Sequence, residues 1–273
     1  MSVDSGNHRL VAILHSCAAA FQLLTRFPCP VAVRYTGEVF RRSVLFYPVA
    51  GLAIGLVLAA AGTLAHAWLP AFPASAVLLA LWVFLTGALH LDGWMDTADG
   101  ILSHRPREQM LEIMKDSRVG AMGVIAGVLY LLLKLSFLYT LLDMHWTWGA
   151  AFIICIPIWS RAFMVAAIVG WPYARRDSGM GSVYREVGSK HVWFVALLSL
   201  LLTGAVFLLF GWGWPRILGG TALLLAVTGV TGWASASYLN SKLGGLTGDT
   251  YGAVNEGCEL FQLAAVVLML GTL

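Results

Sequence analysis

Three aspartates, Asp92, Asp96 and Asp99, stand at i, i+4 and i+7 in the segment His90-Leu-Asp-Gly-Trp-Met-Asp-Thr-Ala-Asp-Gly100. In a helix that spacing puts all three carboxylates on one face, within reach of a shared cation. With Glu108, Glu112 and Asp116 they supply six of the 14 acidic groups in a chain whose residues are only 11% charged. Like charges stacked on one face repel unless a counter-charge lies among them. The predicted chemistry is Mg²⁺ held by carboxylate oxygens, with water and the phosphate oxygens of a substrate completing its shell. Gly93 and Gly100 leave the backbone beside the acids open to a bulky ligand. The plainer alternative, a solvated acidic helix end, accounts for one or two aspartates but not for three.

Other segments carry groups that suit an anionic substrate. Pro106 can begin a short helix running to about Arg118, with Met110, Leu111, Ile113 and Met114 on one side and Glu108, Glu112, Lys115 and Asp116 on the other. Lying on a membrane surface, it would return Lys115, Asp116 and Arg118 towards the aspartates. An amphipathic connector explains the apolar side, yet not Lys-Asp-Ser-Arg at the mouth of the next apolar run. In Pro172–Gly181, Arg175 and Arg176 stand among small residues and could clamp phosphate or amide oxygens. Basic residues are also simply what a loop on the positive side of a membrane protein carries, and residue type does not separate the two readings. The loop Gly244–Gly252 contains Thr247 and Asp249 and leads into Asn255, Glu256 and Glu259. It suggests a backbone nest or a second cation-binding edge, with Glu256 and Asp116 as further candidate metal ligands. Lys134 and Arg161 lie inside apolar runs, where a charge faces the bundle interior; Arg161, near the middle of its run, is the stronger functional candidate.

The elements that must position these groups are membrane helices. Hydrophobic residues make up 59% of the chain, and the mean hydropathy is +0.79. Apolar runs at about 43–68, 75–90, 119–142, 149–170, 192–210, 217–239 and 253–271 mostly approach the ~20 residues that a spanning helix needs. Seven spans are expected, in one integral-membrane domain covering 1–273. The run 75–90 is short and continues helically into the aspartates if it spans. Basic residues concentrate in 26–42, 91–118, 171–191 and 240–252, so these segments are expected in the cytoplasm and the C-terminus outside. Trp68, Trp146, Trp148, Trp212 and Trp214 are expected at the outer boundary as an aromatic belt. Leu10–Leu24 is apolar but short; it reads as a retained interfacial or re-entrant helix in preference to a cleaved signal peptide. Gly51 with Gly55 and Gly123 with Gly127 form small-xxx-small notches for helix packing. The four cysteines have no metal-ligand spacing, and the net charge of +3 gives no sign of nucleic-acid binding.

Taken in order, Phe21–Pro30, Phe46–Gly51, His90–Gly100, Met114–Gly120, Ser160-Arg161, Pro172–Arg175 and Gly244–Asp249 resemble the cobalamin synthase family, the adenosylcobinamide-GDP ribazoletransferases, over nearly the full length. Only Trp94-Met95 and Cys29 depart from the family pattern, and neither touches a candidate ligand. The resemblance implies a multi-pass, Mg²⁺-dependent enzyme of the bacterial cytoplasmic (inner) membrane with its site facing the cytoplasm. It would join α-ribazole, or its 5′-phosphate, to adenosylcobinamide-GDP and release GMP. Asp92, Asp96 and Asp99 would hold the metal on the diphosphate; Lys115, Arg118, Arg161 and Arg175 would offset the remaining charge. His90 or a free aspartate could serve as base for the attacking hydroxyl. Membrane lipid is the implied surrounding; a homo-oligomer, or a complex with other late cobalamin-pathway enzymes, stays open.

Two other readings fit part of the pattern. A CDP-alcohol phosphotransferase also uses D-x-x-D-G, but should continue with Ala-Arg and a later G-x-x-x-D-x-x-x-D run. Here Gly100 is followed by Ile101-Leu102-Ser103-His104, with no such run downstream. A cation or corrinoid transporter would place its acids at mid-membrane, whereas these gather at one end of the spans.

Overall fold

The apolar runs fold as helices in the computed structural model, which describes residues 3–175 and 186–271, with residues 3–10 by their backbone only. In chain order these are α1 (Val3–Leu24), α2 (Gly37–Ser43), α3 (Tyr47–Trp68), α4 (Ala71–Thr86), α5 (Leu89–Leu102), α6 (Arg107–Ile113), α7 (Ala121–Met144), α8 (Trp146–Gly170), α9 (Ser189–Leu209), α10 (Trp214–Leu243) and α11 (Gly248–Leu270). A 3₁₀ turn, Val44–Phe46, joins α2 to α3. Six of the helices are long and apolar enough to cross a membrane, seven if α4 and α5 count as one broken span. The protein is an all-α, multi-pass membrane protein. Arg176 and Ser178, the rest of the loop around them, and Leu273 lie outside the described residues.

Helix α8 forms the centre of the bundle and is buried along nearly its whole length. It packs most extensively on α3, and the sequence shows why. A Cβ on Gly51 would collide with the backbone of Pro157 and Ile158, and one on Gly55 with that of Ile154. Without a water-driven hydrophobic force between helices, this backbone-to-backbone approach supplies the dispersion contacts that hold them together. Gly123 and Gly127 do the same for α7, which receives Met95 and Asp99 of α5. Both notches read from the sequence are therefore packing surfaces.

The short run 75–90 is broken by a sharp bend. Helix α4 ends at Gly87 (φ 62°) and Ala88 (φ 58°), and α5 departs at 88° to it. Alanine in the left-handed region costs roughly 1–2 kcal/mol, so tertiary packing must hold it there. Arg26 supplies part of that packing: its backbone N–H donates to the Leu85 carbonyl at 2.7 Å, and its guanidinium lies against Gly87. After the break, α5 runs between α7 and α11 and carries the aspartates.

Two expectations need correction. The helix after Pro106 stops at Ile113 instead of continuing to Arg118. There the Asp116 carboxylate accepts the Arg118 backbone N–H at 3.0 Å, a local turn that competes with the helical ladder. The aromatic belt is also only partial. Trp68 and Trp214 are exposed, but Trp146 fills the space over Gly62 and Trp212 stacks on Phe207 at 4.3 Å, both inside the bundle.

Candidate active site

Helix α5 sets the site, and its three aspartates have separate fates. Asp92 is exposed and Asp96 half-buried, while Asp99 is buried. The two oxygens of Asp99 accept the backbone N–H groups of Gly120 and Gly123, each at 2.7 Å. These are unpaired donors of the first turn of α7, and the carboxylate also meets the positive end of that helix. Asp99 therefore caps α7, which sets it apart from Asp92 and Asp96, although each of its oxygens keeps a further lone pair. Among the described residues, no three His, Cys, Asp or Glu side chains are gathered round one point as a metal site.

The third acid beside Asp92 and Asp96 is Asp249, from the first turn of α11. Burial bears most on Asp96, followed by the charges of Asp92, Asp249 and Asp99, with Arg175 opposing them. Helix α11 comes this close because Gly93 faces it; a Cβ there would stand 2.5 Å from the Asp249 carbonyl oxygen. Gly252 in turn lies against the backbone of His90. The predicted clamp arginine is in place, since Arg175 Nη2 donates to Asp249 Oδ2 at 3.2 Å while its Nε has no partner.

Backbone pairing brings Arg175 there. The Ala174 N–H donates to the Leu246 carbonyl and the Leu246 N–H to the Pro172 carbonyl, both at 2.8 Å. Gly245 (φ 151°) permits this, since any Cβ would strike Pro172 and Ala174, and Gly244 (φ 64°) caps α10. The glycine-rich loop thus serves close approach and capping, where a nest was expected. Thr247 is fully buried; its hydroxyl caps α11 by accepting the Thr250 N–H at 3.3 Å and donates to Asp249 Oδ2 at 3.3 Å, so it helps to position that acid. Arg107 was missed. Its Nε donates to the Leu243 carbonyl at 2.6 Å and its Nη2 to the Ala174 carbonyl at 3.1 Å, tying α6 to both strands of the pairing. Its only signal in the sequence was its place in a basic connection.

Lys115 and Arg118 stand exposed on the loop before α7. Arg118 donates to both oxygens of Asp116, at 3.1 and 2.8 Å, and this pairing holds the Asp116 carboxyl down at about 2. Asp116, expected as a further metal ligand, is thus held by Arg118 on the surface. Glu256, the other candidate ligand, is deep in the bundle. Lys134 bridges Glu256 and Glu259 at 3.3 and 2.6 Å, and Tyr130 donates to Glu256. Arg161, fully buried, pairs with Glu259 and donates to Ser160. Its charge, expected to meet the diphosphate, is matched here by Glu259 inside the protein. Asn255 Nδ2 approaches Glu259 Oε1 at 3.4 Å and His90 Nδ1 at 3.3 Å. His90 joins this buried network to the open acids: it lines a cleft of about 120 Å³ with Asp92, Asp249, Gly248 and Tyr251.

A family model described as Cobalamin-5-phosphate synthase matches residues 16–267. The chain belongs to that family. It is 40% identical over 256 residues to an adenosylcobinamide-GDP ribazoletransferase of Brevibacillus brevis, covering 94% of this chain and 97% of the relative. The like-named protein of Desulfitobacterium hafniense is 41% identical over 254 residues, 92% of this chain and 96% of its own. That of Desulforamulus reducens is 40% identical over 253 residues, with 93% and 96% covered. No solved structure matches the chain.

Proposed function

We propose that this protein joins adenosylcobinamide-GDP to α-ribazole, or to its 5′-phosphate, and releases GMP. Family membership supports the reaction, and one structural observation supports its place: Asp249 of α11, held by Arg175 and Thr247, comes against α5 beside Asp92 and Asp96. All three acids are oxygen donors, the type a hard cation such as Mg²⁺ requires, and the contact of Gly93 with the Asp249 backbone brings α11 against α5. The donor type fits, and an ion would draw these three carboxylates, not gathered round one point without it, together. When bound, it neutralises charge on the diphosphate. The ribazole hydroxyl bonds to the phosphorus nearer the cobinamide as the bond from that phosphorus to the GMP oxygen breaks. The hydroxyl proton passes to one of these carboxylate oxygens. Arg175, positioned by Asp249 and with Nε unpartnered, donates to a phosphate oxygen in the planar manner of a guanidinium. Lys115 and Arg118, exposed nearby, draw the anionic substrate in. The test is direct: purified protein in lipid, given both substrates and Mg²⁺, should form GMP, and EDTA should stop it. Absence of GMP under these conditions would overturn the reaction.

The basic connections favour a bacterial cytoplasmic membrane with the site facing the cytosol. A cysteine at Ser103, just beyond α5 in an otherwise cysteine-free chain, should then resist an impermeant thiol reagent in intact cells. Labelling from outside would invert the topology.

A further inference from the structure

His90 is 98% buried by its 2% relative exposure, and the two nitrogens of its ring meet opposite conditions. Nδ1 faces Arg161 Nη2 at 3.5 Å and Asn255 Nδ2 at 3.3 Å. A guanidinium has donors only. The Asn255 amide is oriented by Glu259, whose carboxylate oxygen at 3.4 Å requires the NH₂ end. Nδ1 is therefore surrounded by donors and must accept, which leaves the single proton of a neutral imidazole on Nε2. That nitrogen is buried and has no partner. A buried donor left unmade costs roughly 1–3 kcal/mol, so its retention calls for an acceptor that arrives from elsewhere. The cleft that His90 lines with Asp92 and Asp249 is where the proposed diphosphate lies.

We infer that His90 is a fixed-tautomer hydrogen-bond donor whose Nε2–H binds a diphosphate oxygen of the substrate, and that Arg161, Asn255 and Glu259 are positioning residues that set its proton. This rests on the reaction proposed above and deepens it. It also removes His90 as the base, because the nitrogen without a partner already carries the proton. The buried Lys134–Glu256–Glu259–Arg161 cluster then gains a purpose besides cohesion: Glu259 holds Arg161 and Asn255 so that both present N–H groups to the ring.

Two measurements test it. Glutamine places an amide N–H close to the position of Nε2, whereas asparagine places one near Nδ1, and neither is basic. His90→Gln should therefore keep GMP formation within about ten-fold of wild type, while His90→Asn and His90→Ala should fall by the roughly 10²–10³ typical of losing one preorganised donor. Thermal unfolding in detergent, run on all three, separates this from misfolding. Equal loss in His90→Gln and His90→Asn would overturn the inference. Independently of turnover, ¹⁵N-histidine spectra of the wild-type protein in lipid should show His90 unprotonated at Nδ1 and protonated at Nε2. A proton on Nδ1 would overturn it even if the activity of His90→Gln were high. If wild type forms no GMP, the proposed reaction fails while the spectrum still reports the tautomer.

Discussion

Asp96→Asn should lower GMP formation by roughly 10²–10³ or more, the scale of losing one preorganised electrostatic contact to the reacting phosphates. It should leave the unfolding temperature near that of wild type, because Asp96 is half-buried among like charges and its removal relieves repulsion. Asp99→Asn should behave differently although it belongs to the same D-x-x-D element. An amide can accept only one of the two N–H groups that Asp99 now receives from Gly120 and Gly123. The other is stranded at a buried helix end, at a cost of roughly 1–3 kcal/mol. Asp99→Asn should thus unfold at lower temperature and lose activity through α7. Kinetics and thermal unfolding on the two variants, side by side, check the distinction. Equal unfolding temperatures would remove the capping role.

Glu259→Gln should be the most destabilising single change in the bundle. The carboxylate is fully buried and bonded to both Lys134 and Arg161. Removing one partner from a buried pair leaves an uncompensated charge, typically at a cost of about 3–5 kcal/mol. Lys134 keeps Glu256 and the face of Trp82, with its Nζ 4.0 Å from the ring centroid, but Arg161 keeps only Ser160, Asn255's neighbourhood and His90. Glu186→Gln offers the contrast. Glu186 pairs with Arg41 at 2.9 Å but its side chain is 72% exposed, and such pairs contribute at most about 1 kcal/mol. Thermal unfolding in the same detergent compares the two. A small shift for Glu259→Gln would mean that the buried charges are solvated or matched by other groups.

The helical class, the spans and the small-residue notches were legible because each depends on local pattern: run length, and glycines four residues apart. The D-x-x-D spacing correctly placed the acids on α5. It could not divide them, because the role of Asp99 is set by two glycine N–H groups that arrive from α7. The same limit hid the part of Asp249, which reaches Asp92 and Asp96 only through the approach of α11 to Gly93. Charges in apolar runs marked Lys134 and Arg161 as special, but their partners lie on another helix, so a structural network looked like a substrate clamp. The break at Gly87-Ala88 had half a signal. Glycine allows the left-handed turn, whereas nothing in the sequence marks Ala88 for it.

The central claim is that Asp92, Asp96 and Asp249, and not the sequence triad with Asp99, hold the cation on the diphosphate. Electron paramagnetic resonance with Mn²⁺ in place of Mg²⁺ tests it most directly, on protein in lipid with adenosylcobinamide-GDP present and α-ribazole withheld. Wild type and folded Asp99→Asn should both deplete the free Mn²⁺ signal, while Asp92→Asn and Asp249→Asn should not. Full binding in Asp249→Asn together with its loss in folded Asp99→Asn would contradict the account and return the site to the three aspartates of α5.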